Sequence, residues 1–219
     1  PRIDTILKQE ELLADDLASE LTLVKNLLKG RKLLFFCPTF KNGQKESYYR
    51  FSYFEKQELN RWLKENNYVL GIREHMADSA SSYMDNLSDL EVLDLGSKRI
   101  KNIELIYRVA DSLITDYSSC FIDFMVTSKP IISFAYDHDT YINSERGVFY
   151  DLEFAFPGSV CLNFEQLFTA LNQLSSGTYM SNHESTYALK QRLFFNNIDT
   201  DNSLRLVERV KALYSIKEA

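Results

Sequence analysis

Glycine is scarce in this chain, with seven among 219 residues, and none is spaced as GxGxxG or GxxxxGK[ST]. That excludes the usual dinucleotide fingerprint and the Walker phosphate loop. Cysteine is scarcer. Cys37, Cys120 and Cys161 are odd in number, far apart and without a CxxC pair, and each sits in an apolar run. Reduced, buried thiols are therefore expected, not a disulfide framework. The three histidines, at 75, 138 and 183, form no HExxH and have no neighbouring Cys–His spacing, which argues against zinc. No GxSxG elbow is present for a serine nucleophile. Apolar runs are short, the longest lying near Leu33–Cys37, against the ~20 residues of a membrane span. Nothing at the start reads as a signal peptide. Basic runs are missing too. Lys+Arg number 25 against 31 Asp+Glu, for a net charge of −6, so no nucleic-acid partner is expected.

What remains is an ordinary globular composition. Apolar residues make up 45% and aromatic residues 13% of the chain, and the mean hydropathy is −0.27. Such a chain is too apolar for disorder and long enough to bury a core without metal or disulfide staples. The first residue is Pro1, which reads as a processed start or a piece of a longer protein.

Leu13, Leu17, Leu21, Val24 and Leu28 recur at helical spacing and predict an amphipathic helix over 10–29, ended by Gly30. Short, nearly continuous apolar runs at 32–38, 68–73, 91–95, 112–115 and 130–134 read as strands. Helices are expected between them at 54–66, 101–110 and 118–127, and after them at 164–175, 184–196 and 203–217. Residues 137–158, rich in Asp, Asn, Gly and Pro, read as loop. Alternation of this kind predicts an α/β fold, a Rossmann-like parallel sheet with helices on both faces and five or so strands. The whole of 1–219 is read as one domain, with 1–30 as entry segment and helix and 197–219 as a C-terminal helix. In such sheets ligands sit outside the carboxyl ends of the strands, so chemistry is sought in the loops at 38–41, 73–78, 115–119 and 136–141.

The most informative stretch is Ala110–Asp123, ADSLITDYSSCFID. Asp116 and Tyr117 turn the chain after a strand, and Ser118 and Ser119 open a helix. Two readings are open: a serine-capped helix, or a phosphate site made of amides, helix dipole and hydroxyls without a glycine loop. Asp123, four residues beyond Ser119 on the same face, suits ribose hydroxyls, and Asp116 is grouped with it. In YVLGIREHM, Arg73 and His75 leave a strand end two residues apart and point the same way in extended chain. They suit phosphate binding and general-acid chemistry, though such a histidine equally suits a solvent-facing loop. Thr39 and Lys41, after the first strand, are further phosphate-binding candidates. Asp137 and Asp139 read as solvated turn formers in preference to a metal pair. No metal or other cofactor is expected.

Taken together these stretches resemble the CDP-glycerol glycerophosphotransferase family, the teichoic-acid polymerases and primases of GT-B architecture. Pro1-Arg2-Ile3-Asp4, Leu33–Phe40 (LLFFCPTF), Tyr68–His75, Ala110–Phe124 and Lys129–Tyr141 (KPIISFAYDHDTY) follow the family's order, as do Arg146-Gly147, Asp151 and Pro157-Gly158. Lys41 stands where the family usually has Arg, Met76 where it has Pro, and Asp199-Thr200-Asp201 lacks the glycine of its "DDG". The only tryptophan is Trp62, followed by Leu63, so the family's N-terminal Trp-His-Gly-type motif is missing. The resemblance implies the donor-nucleotide-binding, C-terminal half of a GT-B enzyme, with the N-terminal acceptor domain absent and the fragment inactive alone. It implies transfer of glycerol phosphate or a related polyol phosphate from a CDP-linked donor to a membrane-linked polymer, releasing CMP. Ser118 and Ser119 would hold the diphosphate, and His75 and Arg73 would neutralise the leaving group. The polymer acceptor would be held by the missing domain. The location would be cytoplasmic, at the inner face of the plasma membrane, with membrane contact only through segments absent here. A GT-B glycosyltransferase using a nucleotide sugar, or a non-catalytic nucleotide-binding domain, are the alternatives.

Overall fold

The computed structural model describes residues 2–40, 48–75, 82–144 and 151–215. The strands are β1 (Lys32–Phe36), β2 (Tyr68–Ile72), β3 (Val92–Asp94), β4 (Ser112–Thr115), β5 (Ile131–Phe134) and β6 (Val160–Cys161). They form a six-stranded sheet in the order β3-β2-β1-β4-β5-β6, parallel at every pairing. The expected parallel α/β layer is therefore observed, with β6 added at the edge.

Side-chain alternation along the strands builds a core on each face. Leu33, Phe35, Val69 and Leu113 point to one side, where they meet Ile106, Tyr107 and Phe124. Leu34, Phe36, Leu70 and Ile114 point to the other, against Leu59, Trp62 and Leu63. Burial on both faces is why the strands read as apolar runs and not as alternating patterns.

The helices are α1 (Arg2–Leu7), α2 (Asp15–Leu28), α3 (Tyr53–Glu65), α4 (Ser82–Asn86), α5 (Ile103–Val109), α6 (Cys120–Met125), α7 (His138–Ser144), α8 (Leu152–Ala155), α9 (Phe164–Ser175), α10 (Tyr179–Phe194) and α11 (Asn202–Ser215). Ser52 and Glu55 form a reciprocal capping box at the start of α3. Lys29 and Gly30, at φ 52° and 78°, end α2 in the left-handed region where glycine is at ease.

Several boundaries differ from expectation. The first helix breaks at Leu13-Ala14, both extended, and a separate 3-10 turn covers Glu10–Leu12. The span 137–158 is not all loop. It carries α7, anchored by buried Tyr141, and α8, whose first turn donates Phe154 N to Asp151 Oδ1 at 2.8 Å. Both are too short to show a helical repeat. Helix α10 starts five residues early because the hydroxyl of Tyr179 is buried on Ile131 O, at 2.6 Å.

The two ends of the fold are tied together. Asp4 in α1 accepts four hydrogen bonds from the start of α11: from Asn202 N and Nδ2 at 3.2 and 2.9 Å, and from Ser203 N and Oγ at 2.7 and 2.5 Å. Burial raises this carboxyl's pKa, but the Ser203 and Asn202 donors outweigh it and hold it down at about 2. Beyond that clamp α11 packs lightly, with Leu204, Leu206, Val207, Val210 and Leu213 all exposed.

Candidate functional site

The strand order reverses between β1 and β4, and the carboxyl ends of β1, β2 and β4 open there on one cavity of about 890 Å³. A ligand crevice is expected at such a switch point. Three loops wall it: Cys37–Phe40 after β1, Arg73–His75 after β2 and Tyr117–Ser119 after β4, with Asp123 added from α6.

The β1 and β4 loops are stitched together beyond their strand pairing. Cys37 N donates to Ile114 O at 2.9 Å and the Thr115 hydroxyl donates to Cys37 O at 2.7 Å. Asp116 continues the seam. Its Oδ1 accepts from Thr39 N at 2.8 Å and from Tyr117 N at 2.7 Å, while Ser133 Oγ donates to its carbonyl at 3.1 Å. Asp116 is 2% exposed and does not line the cavity. This carboxylate fastens the β1 and β4 loops to each other from behind the cavity lining.

Arg73 and His75 both line the cavity, but differently. The Nη1 group of Arg73 donates to Leu95 O and Ile100 O at 2.9 and 2.7 Å, and Nη2 reaches Lys101 O at 3.4 Å. Both Nη1 protons are thus committed to main-chain carbonyls of the loop after β3. Burial pushes the pKa of this guanidinium down. It supplies a fixed positive centre rather than a fork swung onto a ligand. His75 is exposed at the rim, its ring 5.2 Å from that of Phe40 and tilted by 33°. Glu74 lines the cavity between them and accepts Tyr83 N in the first turn of α4 at 2.7 Å.

Ser118 and Ser119 face the same cavity as His75. Ser119 precedes α6 in helical backbone, φ −60° and ψ −4°, and its hydroxyl makes no cap bond. Ser118 Oγ accepts Cys120 N at a long 3.4 Å. Ser118 thus makes a long capping contact at the head of α6 and Ser119 makes none. Thr39 lines the wall with its Oγ1 buried and without a hydrogen-bond partner among the described residues, a group that calls for a ligand or water. Lys41 lies outside the described residues.

Asp123 lines the cavity as expected, but its Oδ2 accepts Arg2 Nη1 at 2.7 Å. Arg2, whose side chain is 65% exposed, also lies 3.8 Å from Glu104. The hydrogen bond and charge of Asp123 raise the arginine's pKa.

Sequence reasoning assigned no site role to Arg2, although the Pro1–Asp4 motif contains it. The pair closes over 121 residues and leaves no local signal. An aromatic wall was missed as well. Tyr117 and Tyr141, both lining the cavity, stack at 3.8 Å and 11°. The Tyr117 hydroxyl donates to Asp137 Oδ1 at 2.9 Å, and burial together with Asp137 pushes its pKa up. Asp137 is thus tied to the wall, unlike Asp139, which is fully exposed. His138 and His183 lie outside the cavity lining, and His183 Nε2 pairs with Ser159 Oγ at 3.1 Å.

A family model described as CDP-Glycerol:Poly(glycerophosphate) glycerophosphotransferase matches residues 1–212. Among curated proteins, the chain is 28% identical to a teichoic acid poly(glycerol phosphate) polymerase of Bacillus subtilis, over 75% of this chain and 22% of that protein. It is 30% identical to a teichoic acid glycerol-phosphate transferase of Staphylococcus aureus, over 68% of this chain and 38% of that one. The chain spans well under half the length of these relatives. Among solved structures, one of the wall teichoic acid polymerase TagF superposes over 100% of this chain and 51% of its own, with TM-score 0.71 and 19% identity. A UDP-GlcNAc 2-epimerase from Neisseria meningitidis, bound to UDP-GlcNAc, superposes over 90% and 48%, with TM-score 0.52 and 13% identity. At such identities the structures attest the fold alone.

Proposed function

The chain belongs to the CDP-glycerol:poly(glycerophosphate) glycerophosphotransferase family, and from that premise we propose that it is the donor-binding part of a polyol-phosphate transferase. The donor is a CDP-linked polyol, glycerol or ribitol, since relatives named for each are 28% identical to this chain. The acceptor is the growing end of a teichoic-acid-type polymer, held by an N-terminal domain that precedes this one in the GT-B arrangement. An acceptor hydroxyl attacks the phosphorus that carries the polyol. The bond from that phosphorus to the bridging oxygen breaks, and CMP leaves with the charge.

The single observation that carries this reading is that His75 and Ser118–Ser119 line one cavity of nucleotide size at the switch point. Charge developing on the departing phosphate needs donors and dipoles, with no covalent nucleophile. Ser118, Ser119 and the Thr39 hydroxyl, which has no partner among the described residues, supply donors, with Lys41 as a further phosphate contact. Arg73 supplies fixed positive potential, and the exposed His75 assists the leaving group. Asp123 takes the ribose hydroxyls once Arg2 releases it. No helix among the described residues is long and apolar enough to cross a membrane. The site of action in this reading is the inner face of the plasma membrane, where the polymer acceptor is anchored.

The test is titration calorimetry and turnover with the full-length protein. CDP-glycerol or CDP-ribitol binds more tightly than UDP-sugars. Ser119→Ala weakens CDP binding by about 1 kcal/mol, and His75→Ala cuts turnover roughly 10²-fold. Tighter binding of a UDP-sugar refutes the donor assignment in favour of a glycosyltransferase. Unchanged turnover in both variants leaves only a nucleotide-binding domain.

A further inference from the structure

Among the described residues, the charged side chains that line the donor cavity are Arg2, Arg73, Glu74 and Asp123, beside the ring of His75. The two arginines and the two carboxylates cancel, whereas a nucleoside diphosphate calls for an excess of positive charge. Arg73 cannot swing to supply it, because Leu95 O and Ile100 O hold both of its Nη1 protons. Arg2 is held differently. Its backbone belongs to α1, which Asp4 clamps to the start of α11, but its side chain is 65% exposed. Among the described residues its one hydrogen bond runs from Nη1 to Asp123 Oδ2, at 2.7 Å. Glu104, on α5, adds an ion pair at 3.8 Å from Nε.

The place of Asp123 on α6 says where that guanidinium lies. Side chains lean towards the N-terminus of their helix, and four residues span roughly one turn. The Asp123 carboxylate, four residues after Ser119, therefore leans back towards Ser118 and Ser119, which face the same cavity. The Arg2 guanidinium is carried there with it. We propose that Arg2 is a phosphate-contacting residue of the donor site, whose guanidinium passes from Asp123 to the diphosphate of an entering nucleotide.

A guanidinium is a planar fork that meets two phosphate oxygens at once. In its pair with Asp123 a single Nη1 donor meets a single carboxylate oxygen, so the exchange gains a second charge-assisted bond. It also frees the carboxylate for the ribose hydroxyls. The pair that must break is solvent-exposed, and exposed pairs are weak. The long stem lets the group turn while α1 stays in place. This role for Arg2 rests on the donor-binding reading above, and adds to it the contact that favours a diphosphate over a bare nucleoside.

The experiment compares CDP, CMP and cytidine binding by the full-length protein and its Arg2→Ala variant, using calorimetry for the nucleotides and displacement for the nucleoside. Arg2→Ala lowers CDP affinity roughly tenfold or more and CMP affinity less, while cytidine binds as well as before or better. Arg2→Lys keeps the charge without the fork, so it recovers only part of the CDP loss and leaves cytidine unchanged. Should a thermal melt find the alanine variant unfolded, the lysine variant carries the test by itself. Equal losses for all three ligands mean that Arg2 acts only by holding Asp123, and they overturn the proposal. So does CDP affinity that neither variant changes, and both results leave the donor reading standing. Wild-type protein that binds no CDP overturns the donor reading and this role of Arg2 together.

Discussion

Replacing Asp4 by Ala removes the carboxylate that accepts the first amides of α11, together with the Asn202 and Ser203 side chains. The fall of its pKa from an ordinary 3.8 to about 2 sets an upper bound of roughly 2.4 kcal/mol on its stabilisation at neutral pH. Water reaching the rim of the helix lowers the expected cost to roughly 1–2 kcal/mol, the range of a lost helix cap. Because the native pKa lies below the unfolded one, this stabilisation is complete above the unfolded value and is lost as pH falls towards 2. The gap between wild type and Asp4→Ala in urea unfolding is therefore constant from pH 7 to about pH 5 and narrows from about pH 4 downward. Hydrogen exchange adds a local readout, since the amides of the first turn of α11 exchange faster in the variant while those of β1 and β4 change only with global stability. A gap as large at pH 2.5 as at pH 7, or unchanged exchange in α11, refutes the assigned cap.

Asp116→Ala strips the acceptor from the Thr39 and Tyr117 amides and costs about 2–3 kcal/mol in stability. It also weakens CDP binding although Asp116 does not line the cavity, and the same affinity in calorimetry would deny it a positioning role. Gly158→Ala drives a Cβ into the main chain of Ile131 and the Tyr179 hydroxyl, so thermal unfolding should show a loss of about 2–4 kcal/mol. Tyr179→Phe leaves Ile131 O and Ser159 N without their shared hydroxyl and costs about 1–3 kcal/mol by chemical denaturation. Replacing Leu189, exposed on α10, stays within about 0.5 kcal/mol and serves as the control.

Much of this fold is legible in the sequence because its strands are buried on both faces. Runs such as Lys32–Phe36 and Ser112–Thr115 need no periodicity to be recognised, and their alternation with amphipathic helices leaves few topologies open. The two-residue β6 and the short α7 and α8 have no such signal. They exist because Ser133 pairs with Val160, Tyr141 is buried and Asp151 caps its own turn. At the site, residue type and strand-end position suffice to bring Arg73, His75, Ser118 and Ser119 to one cavity. What each polar group is bonded to depends on partners distant in sequence. Asp116 and Arg73 read alike as ligand contacts, yet one fastens Thr39 and the other the carbonyls of Leu95 and Ile100.

The central place of β1 also shapes how the chain is made. Leu34 pairs with Leu70 on one side but with Ser112 on the other, 78 residues further on (112 − 34). At roughly 5–20 residues per second of synthesis, one edge of the KLLFF segment waits about 4–16 s for its partner. An apolar five-residue edge left open that long is a template for pairing with other nascent chains. Arg31 and Lys32 put charge only at its head, so slowed synthesis between residues 37 and 112 should lower the soluble yield more than an equal pause after residue 134.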